Sequence, residues 1–303
     1  MAEDPKTAAQ AVVLQHRGVI KVGGADRRDF LQGIVSNDVE QVGAERAVWA
    51  AFLTPQGKFL HEFFIAEKND VFLLDCEAGR SADLLRRLKL YKLRAQVTLE
   101  AAEDLVVVAA FGMDTLAKLA LPAEPGRARA YAGGLAFVDP RLPALGARLL
   151  LPREAAESSL ADAGFTEASL AGYDALRIAA GVPDGSRDLE VEKATLLESG
   201  FDELHGVDWD KGCYMGQELT ARMKYRGLTK KRLMPVEIAG PVPEAGAAIT
   251  RDGREAGQLR SAVAHDGGSL GLALLRLDAL EGGAPLKTGD ATVTAKKPDW
   301  AAF

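Results

Sequence analysis

From Lys231 to the C-terminus, the helical periodicity that organises the rest of the chain nearly disappears. Short apolar runs follow one another, separated by Asp252-Gly253, Gly267-Gly268 and Gly282-Gly283. Such pairs accept the positive φ that tight hairpin turns demand, so this stretch is expected to close into a small antiparallel barrel. Ahead of it, strands and helices are mixed. The runs at 11–14 and 19–22 flank the turn Gln15-His16-Arg17-Gly18, and Asp26 stands where a helix cap belongs. The apolar runs 47–54 and 59–66 flank Pro55-Gln56-Gly57-Lys58, a turn sequence that predicts a hairpin. A strand at 71–75 precedes a helix that Ser81 can cap, in which Leu84, Leu85, Leu88 and Tyr91 recur at helical spacing and face the core. A second mixed block follows, with strands near 105–111 and 135–139 and helices near 154–163 and 169–180. At 303 residues the chain exceeds the reach of one hydrophobic core. The expected organisation is α+β: an N-terminal lobe 1–96, a second lobe 97–230, and the barrel 231–303.

Several function classes are excluded. A net charge of −6 argues against a general nucleic-acid binder. The longest apolar stretch, about nine residues near Leu105, falls far short of the ~20 a membrane helix needs. The start, Met1-Ala2-Glu3-Asp4-Pro5, is acidic and unlike a secretory signal. Two distant cysteines, Cys76 and Cys213, make neither a metal pair nor a disulfide framework, which implies a reducing compartment and a cytoplasmic protein. Gly23-Gly24 matches no nucleotide-binding loop, and the four histidines have no ligand spacing.

Chemistry concentrates in Lys211-Gly212-Cys213-Tyr214-Met215-Gly216-Gln217-Glu218, directly ahead of a predicted helix. Positive charge from Lys211 and from the unpaired N–H groups of the helix start would favour a thiolate. A small cysteine half-buried in a tight turn fits the same string, and residue chemistry leaves both readings open. Arg222, Lys224, Arg226, Lys230, Lys231 and Arg232 place six cations within eleven residues of an acidic protein. Arg86, Arg87, Lys89, Lys92 and Arg94 form a second basic cluster. Either is a solvated charged face or a seat for an anion such as a polycarboxylate tail, a phosphate backbone or an acidic partner. Glu198 lies between apolar residues, where its carboxylate is either a helix cap or an acceptor for a polar heterocycle.

The string K-G-C-Y-M-G-Q-E-L-T-A-R-M, with Tyr225-Arg226-Gly227 and Lys231-Arg232, resembles the signature of the YgfZ-type folate-binding proteins, relatives of the glycine-cleavage T protein. Weaker similarity runs through Phe30-Leu31-Gln32-Gly33, Ser36-Asn37-Asp38, Thr54-Pro55-Gln56-Gly57-Lys58, and Arg177 with Gly181-Val182-Pro183. The resemblance implies a three-lobed T-protein-like fold, a bound tetrahydrofolate, and a role in iron–sulfur cluster assembly or repair and in tRNA modification. It makes Cys213 the functional thiol and Glu198 the residue that holds the pterin. Arg177, Lys211, Tyr214, Gln217 and Arg226 are further folate-binding candidates. Partners would be iron–sulfur client or assembly proteins, and tRNA. Where the aminomethyltransferases carry an Asp-Asp pair, this chain reads His61-Glu62, so Glu62 is a doubtful catalytic carboxylate. A folate-dependent one-carbon transferase and a tRNA-binding module stay as alternatives.

Overall fold

A computed structural model describes residues 8–265, 267–281 and 285–302. The expected turn at Gly282-Gly283 and the acidic start at residues 1–5 lie outside the described residues. The chain divides into two compact units, one of residues 1–53, 60–173 and 205–215, the other of residues 54–59, 174–204 and 216–303.

In chain order, the first unit holds β1 (Gln10–Val13), β2 (Arg17–Gly23), α1 (Arg27–Gln32), β3 (Val48–Leu53), β4 (Phe59–Lys68), β5 (Val71–Glu77), α2 (Ser81–Lys92), β6 (Thr98–Ala101) and β7 (Leu105–Phe111). It continues with α3 (Thr115–Lys118), β8 (Ala128–Tyr131), β9 (Gly134–Val138), β10 (Ala147–Pro152), α4 (Ala156–Asp162), β11 (Thr166–Glu167) and the first turn of α5 (Leu170–Ala179). Its strands form a five-stranded sheet, β3-β4-β5-β2-β6, and a six-stranded sheet, β11-β1-β7-β10-β9-β8. Pairing is antiparallel except between β1 and β11. The first eight residues of β4 are buried, Phe59 to Ala66. A strand covered on both faces reads as a near-continuous apolar run, and any polar group within it must find a partner. His61 and Glu62 are such groups.

The second unit carries the rest of α5, a 3₁₀ turn at Leu197–Ser199, α6 (Gln217–Arg226), and β12 (Lys231–Ala239), β13 (Ala248–Arg251), β14 (Arg254–His265), β15 (Gly268–Arg276), β16 (Leu286–Thr288) and β17 (Ala291–Ala295). These six strands close in the order β12-β15-β14-β13-β16-β17, around a core that includes Met234, Val236, Ile249, Leu259 and Leu275. Closure removes the unpaired sheet edges that an open sheet would expose. No helix among the described residues is long and apolar enough to cross a membrane.

The hairpin of β3 and β4 forms as expected, with the Thr54 N–H bonded to the Lys58 carbonyl at 2.8 Å. Elsewhere the local reading is corrected. The runs flanking residues 15–18 do not pair with each other: β1 joins β7 and β11, whereas β2 joins β5 and β6. The turn is present, the Arg17 N–H bonding the Leu14 carbonyl at 2.9 Å, but it hands the chain from one sheet to the other. Ser81 is the first residue of α2 rather than its cap, and its hydroxyl donates back to the Ala78 carbonyl. Asp26 occupies the cap position of α1, yet its carboxylate accepts the Gln96 N–H at 2.7 Å instead of capping the helix. On α2, Leu84 and Leu88 are buried, whereas Tyr91 is exposed and only leans edge-on against Phe52.

Candidate functional site

The segment 205–215 has no regular structure and is held to the rest of the first unit by polar contacts. Ser36 donates its hydroxyl to the Gly206 carbonyl at 2.6 Å, and Asn37 donates its amide to the His205 and Trp49 carbonyls, both at 2.7 Å. The Asp208 carboxylate accepts the Asp210 and Lys211 N–H groups, folding the backbone back on itself. Lys211 donates its three ammonium protons to the carbonyls of Gln32, Val35 and Asn37 at 2.7–2.8 Å. Burial lowers its pKa to about 8, against the raising pull of Asp38 and Asp208. Beyond it, the Met215 N–H bonds the Gly33 carbonyl at 3.3 Å, and the Tyr214 ring is buried with the ammonium 5.3 Å from its centroid. Cys213 stands between these two anchored residues and is exposed. The other cysteine, Cys76, is buried, and burial pushes its thiol up to about 12. Lys211 therefore serves as a staple for the segment, with no ammonium proton left over for the thiol.

The boundary between the units falls at Met215 and Gly216, inside the motif. Gly216 precedes α6 with φ 81°, a left-handed conformation that favours glycine. In the second unit the turn Thr54-Pro55-Gln56-Gly57-Lys58 packs on the start of α6. A Cβ on Gly57 would lie 2.6 Å from the Leu219 Cβ and 2.7 Å from the Gly216 carbonyl. These two motifs, far apart in sequence, are thus one packing unit. Gln217 is half-buried in the first turn of α6, and Arg226 is exposed in its last. Glu198 is half-buried on the 3₁₀ turn and accepts the Thr195 hydroxyl at 2.8 Å. No cation pairs with it among the described residues, so its second oxygen is open to a ligand donor. Arg177 is buried, with Nε on Asp174 at 2.5 Å and Nη1 on Asp188 at 2.6 Å. Asp188 also accepts the Ser261 hydroxyl of β14, so Arg177 braces a loop against the barrel rather than facing an open site.

Glu62 lies in a network that sequence reasoning missed. It accepts Arg17 Nη1 and, at 2.6 Å, the Trp49 indole N–H. Arg17 also bonds Asp75 at 2.7 Å, Arg148 bonds the other Asp75 oxygen at 2.6 Å, and Arg141 pairs with Asp139 at 2.7 Å. All three guanidiniums lie over the Phe64 ring, at 4.0–5.7 Å. Three arginines and three carboxylates, all buried, thereby balance one another. The signal in the sequence was charged residues inside apolar strands: Glu62 in F-L-H-E-F-F-I-A, Asp75 in V-F-L-L-D-C-E and Arg148 in A-R-L-L-L-P. Neighbouring His61 is also internal, 3.0 Å from Asp83. Burial, aided by Arg80, lowers its pKa to about 4, so it is neutral and donates its Nε2 proton to the carboxylate.

Comparison with known proteins sets these residues in a family. The family model of the CAF17 C-terminal beta-barrel domain matches residues 230–303. The iron-sulfur cluster assembly factor IBA57, mitochondrial, of Mus musculus is 33% identical over 95% of this chain and 84% of its own length. The Homo sapiens protein of the same name has the same identity and the same coverage of both chains. The chain belongs to the IBA57 family of iron–sulfur cluster assembly factors. The crystal structure of the glycine cleavage system aminomethyltransferase T from Bartonella henselae matches 98% of this chain and 87% of its own, with a TM-score of 0.76 at 16% identity. That likeness establishes the expected T-protein-like fold, with its two sheets and closed barrel, and nothing of the chemistry. The expectation of a cytoplasmic protein is corrected, because the IBA57 relatives are named mitochondrial. Cysteine usage reports only a reducing environment, which the mitochondrial matrix also provides.

For an IBA57-like chain the arrangement of donors is informative. Among the described residues no three His, Cys, Asp or Glu side chains gather as a metal site. Cys213 therefore offers a single exposed sulfur on an anchored segment. Of the basic run after it, Lys224 pairs with Asp202, Arg232 with Glu203 at 2.9 Å, and Arg222 reaches Glu218 at 3.8 Å, which leaves Arg226, Lys230 and Lys231 without ion-pair partners among the described residues.

Proposed function

We propose that this chain acts in iron–sulfur cluster assembly with Cys213 as its working thiol, and that it binds a tetrahydrofolate whose pterin is held by Glu198. The observation that carries the first part is the exposed sulfur fixed between Lys211 and Met215, each bonded to backbone carbonyls of the first unit. Iron–sulfur clusters are usually held by several thiolates, so a cluster handled here as substrate takes its other ligands from a partner protein. The IBA57 relatives bear the name of assembly factors, which supports that reading. Cys213→Ser should abolish cluster transfer to an acceptor apoprotein while leaving thermal stability unchanged. Wild-type transfer rates in the variant would sink the thiol's role.

For the folate, the free Glu198 oxygen can accept one N–H of an aminopyrimidine edge, and the oxygen bonded to Thr195 keeps a second lone pair for the other. The unpaired cations Arg226, Lys230 and Lys231 suit a glutamate tail. Titration with mono- and polyglutamyl tetrahydrofolate should show binding that Glu198→Ala weakens at least about tenfold, the worth of a hydrogen bond to a charged group. Absence of wild-type binding at high micromolar folate would refute this part alone. The one-carbon transferase alternative gains nothing from the geometry, because both Glu62 oxygens are committed to Arg17 and Trp49.

A further inference from the structure

A shallow cleft of about 510 Å³ opens in the first unit between α1 and the end of α2. Its floor is the buried Phe30 and Ile34. Of the lining residues at the end of α2, Tyr91 is 41% exposed and Leu93 87%, and Leu90, next to them in the chain but outside the lining, is 64% exposed. Leu93 ends the helix with φ 44° and ψ −110°, a backbone conformation costly for a residue with a Cβ. The same stretch, 86–94, carries five cations and no acid. Arg86 and Arg87 pair with Asp83, but Lys89, Lys92 and Arg94 have no ion-pair partner among the described residues. In a chain of net charge −6, three unpaired cations around three exposed apolar side chains form a surface of specific character.

We infer that this cleft docks an acidic, leucine- or aromatic-bearing segment of a partner protein, its apolar side chain on Phe30 and Ile34 and its carboxylates on Lys92 and Arg94. Charge complementarity selects the occupant. Asp26 and Asp29 on the opposite wall confine negative charge to the Lys92 and Arg94 side, which suits a peptide with carboxylates along one edge and an apolar side chain beside them; a nucleic-acid backbone or an anionic membrane, charged across its whole face, does not fit a concave site with an apolar floor. A polyglutamate tail has nothing to cover Leu90 and Leu93. The cleft also adjoins the motif cysteine's segment: Gly33, which lines it, accepts the Met215 N–H, and Gln32 accepts Lys211. Docking does not depend on the thiol reading, although it would bring a partner alongside Cys213.

The test uses the full chain with a photo-crosslinking phenylalanine at Leu90, and at exposed Met113 as the control, in cells that make the protein. A protein adduct at residue 90 and not at 113, mapping to an acidic segment that contains leucine or an aromatic residue, is expected. In purified proteins Lys92→Glu with Arg94→Glu should reduce that adduct about tenfold or more, and lysines in place of the partner's acidic residues should restore it. Cys213→Ser should leave it intact, which separates this result from failure of the cluster-handling reading. Unchanged Tm in each surface variant guards against misfolding. No adduct above the control, an adduct to lipid, nucleic acid or a basic segment, indifference to charge reversal, or loss on Cys213→Ser would each overturn the inference.

Discussion

At the scale of single residues, function turns on how each polar group is spent. Lys211 shows this most clearly, since a lysine beside a cysteine reads as an electrostatic activator until its ammonium is seen bonded to three carbonyls. Lys211→Met keeps the stem but orphans those acceptors, so a loss of about 2–4 kcal/mol of stability is expected. Urea denaturation would measure it, and faster hydrogen exchange across 205–215 should accompany it. Alkylation of Cys213 should change little, because the cation does not serve the sulfur; strong slowing in the Met variant would show that it does. Motif composition marked this segment as important. The direction of one side chain, set by carbonyls some 175 residues away in sequence, was not legible there.

At the scale of elements, two contacts decide how strands and helices hold the site. Gly57→Ala adds a Cβ into Leu219 and the Gly216 carbonyl at a positive φ of 79°. Left-handed strain plus overpacking predicts about 2–4 kcal/mol of destabilisation, read from the denaturation midpoint, with faster exchange in the first turn of α6. His61 on β4 bonds Asp83 on α2, and its depressed pKa gives a signed pH effect. The unfolded chain takes up a proton near pH 6.5, whereas the folded one resists until about 4. The contribution is complete above 6.5 and lost as pH falls toward 4, on the order of 3 kcal/mol over that window. His61→Gln should flatten the stability profile there; an unaltered profile would contradict the neutral, buried histidine.

Across the whole molecule, the chain passes back and forth between its two units, and the first is held internally by six buried charges from both of its sheets. Arg17, Glu62 and Asp75 come from the five-stranded sheet, Arg148 from β10, and Asp139 and Arg141 from the loop after β9. Arg148→Met would leave Asp75 and Asp139 partly uncompensated in the interior, at a cost of about 3–5 kcal/mol. A Tm close to wild type would mean that the network adds little.

The sequence by itself determined the mixed α and β character of the first two thirds, the closing barrel, the β3–β4 hairpin and the motif around Cys213, but not the strands β6, β8, β10 and β11. Periodicity and turn stereochemistry are properties of neighbouring residues, and they survive being read in one dimension. Only the tertiary structure decided that β1 and β2 belong to different sheets, that Glu62 is paired inside rather than poised for catalysis, and that the motif divides at Met215. Those outcomes depend on which distant groups meet in a low-dielectric interior, where every buried polar atom must find a partner, and a linear pattern does not record the partner.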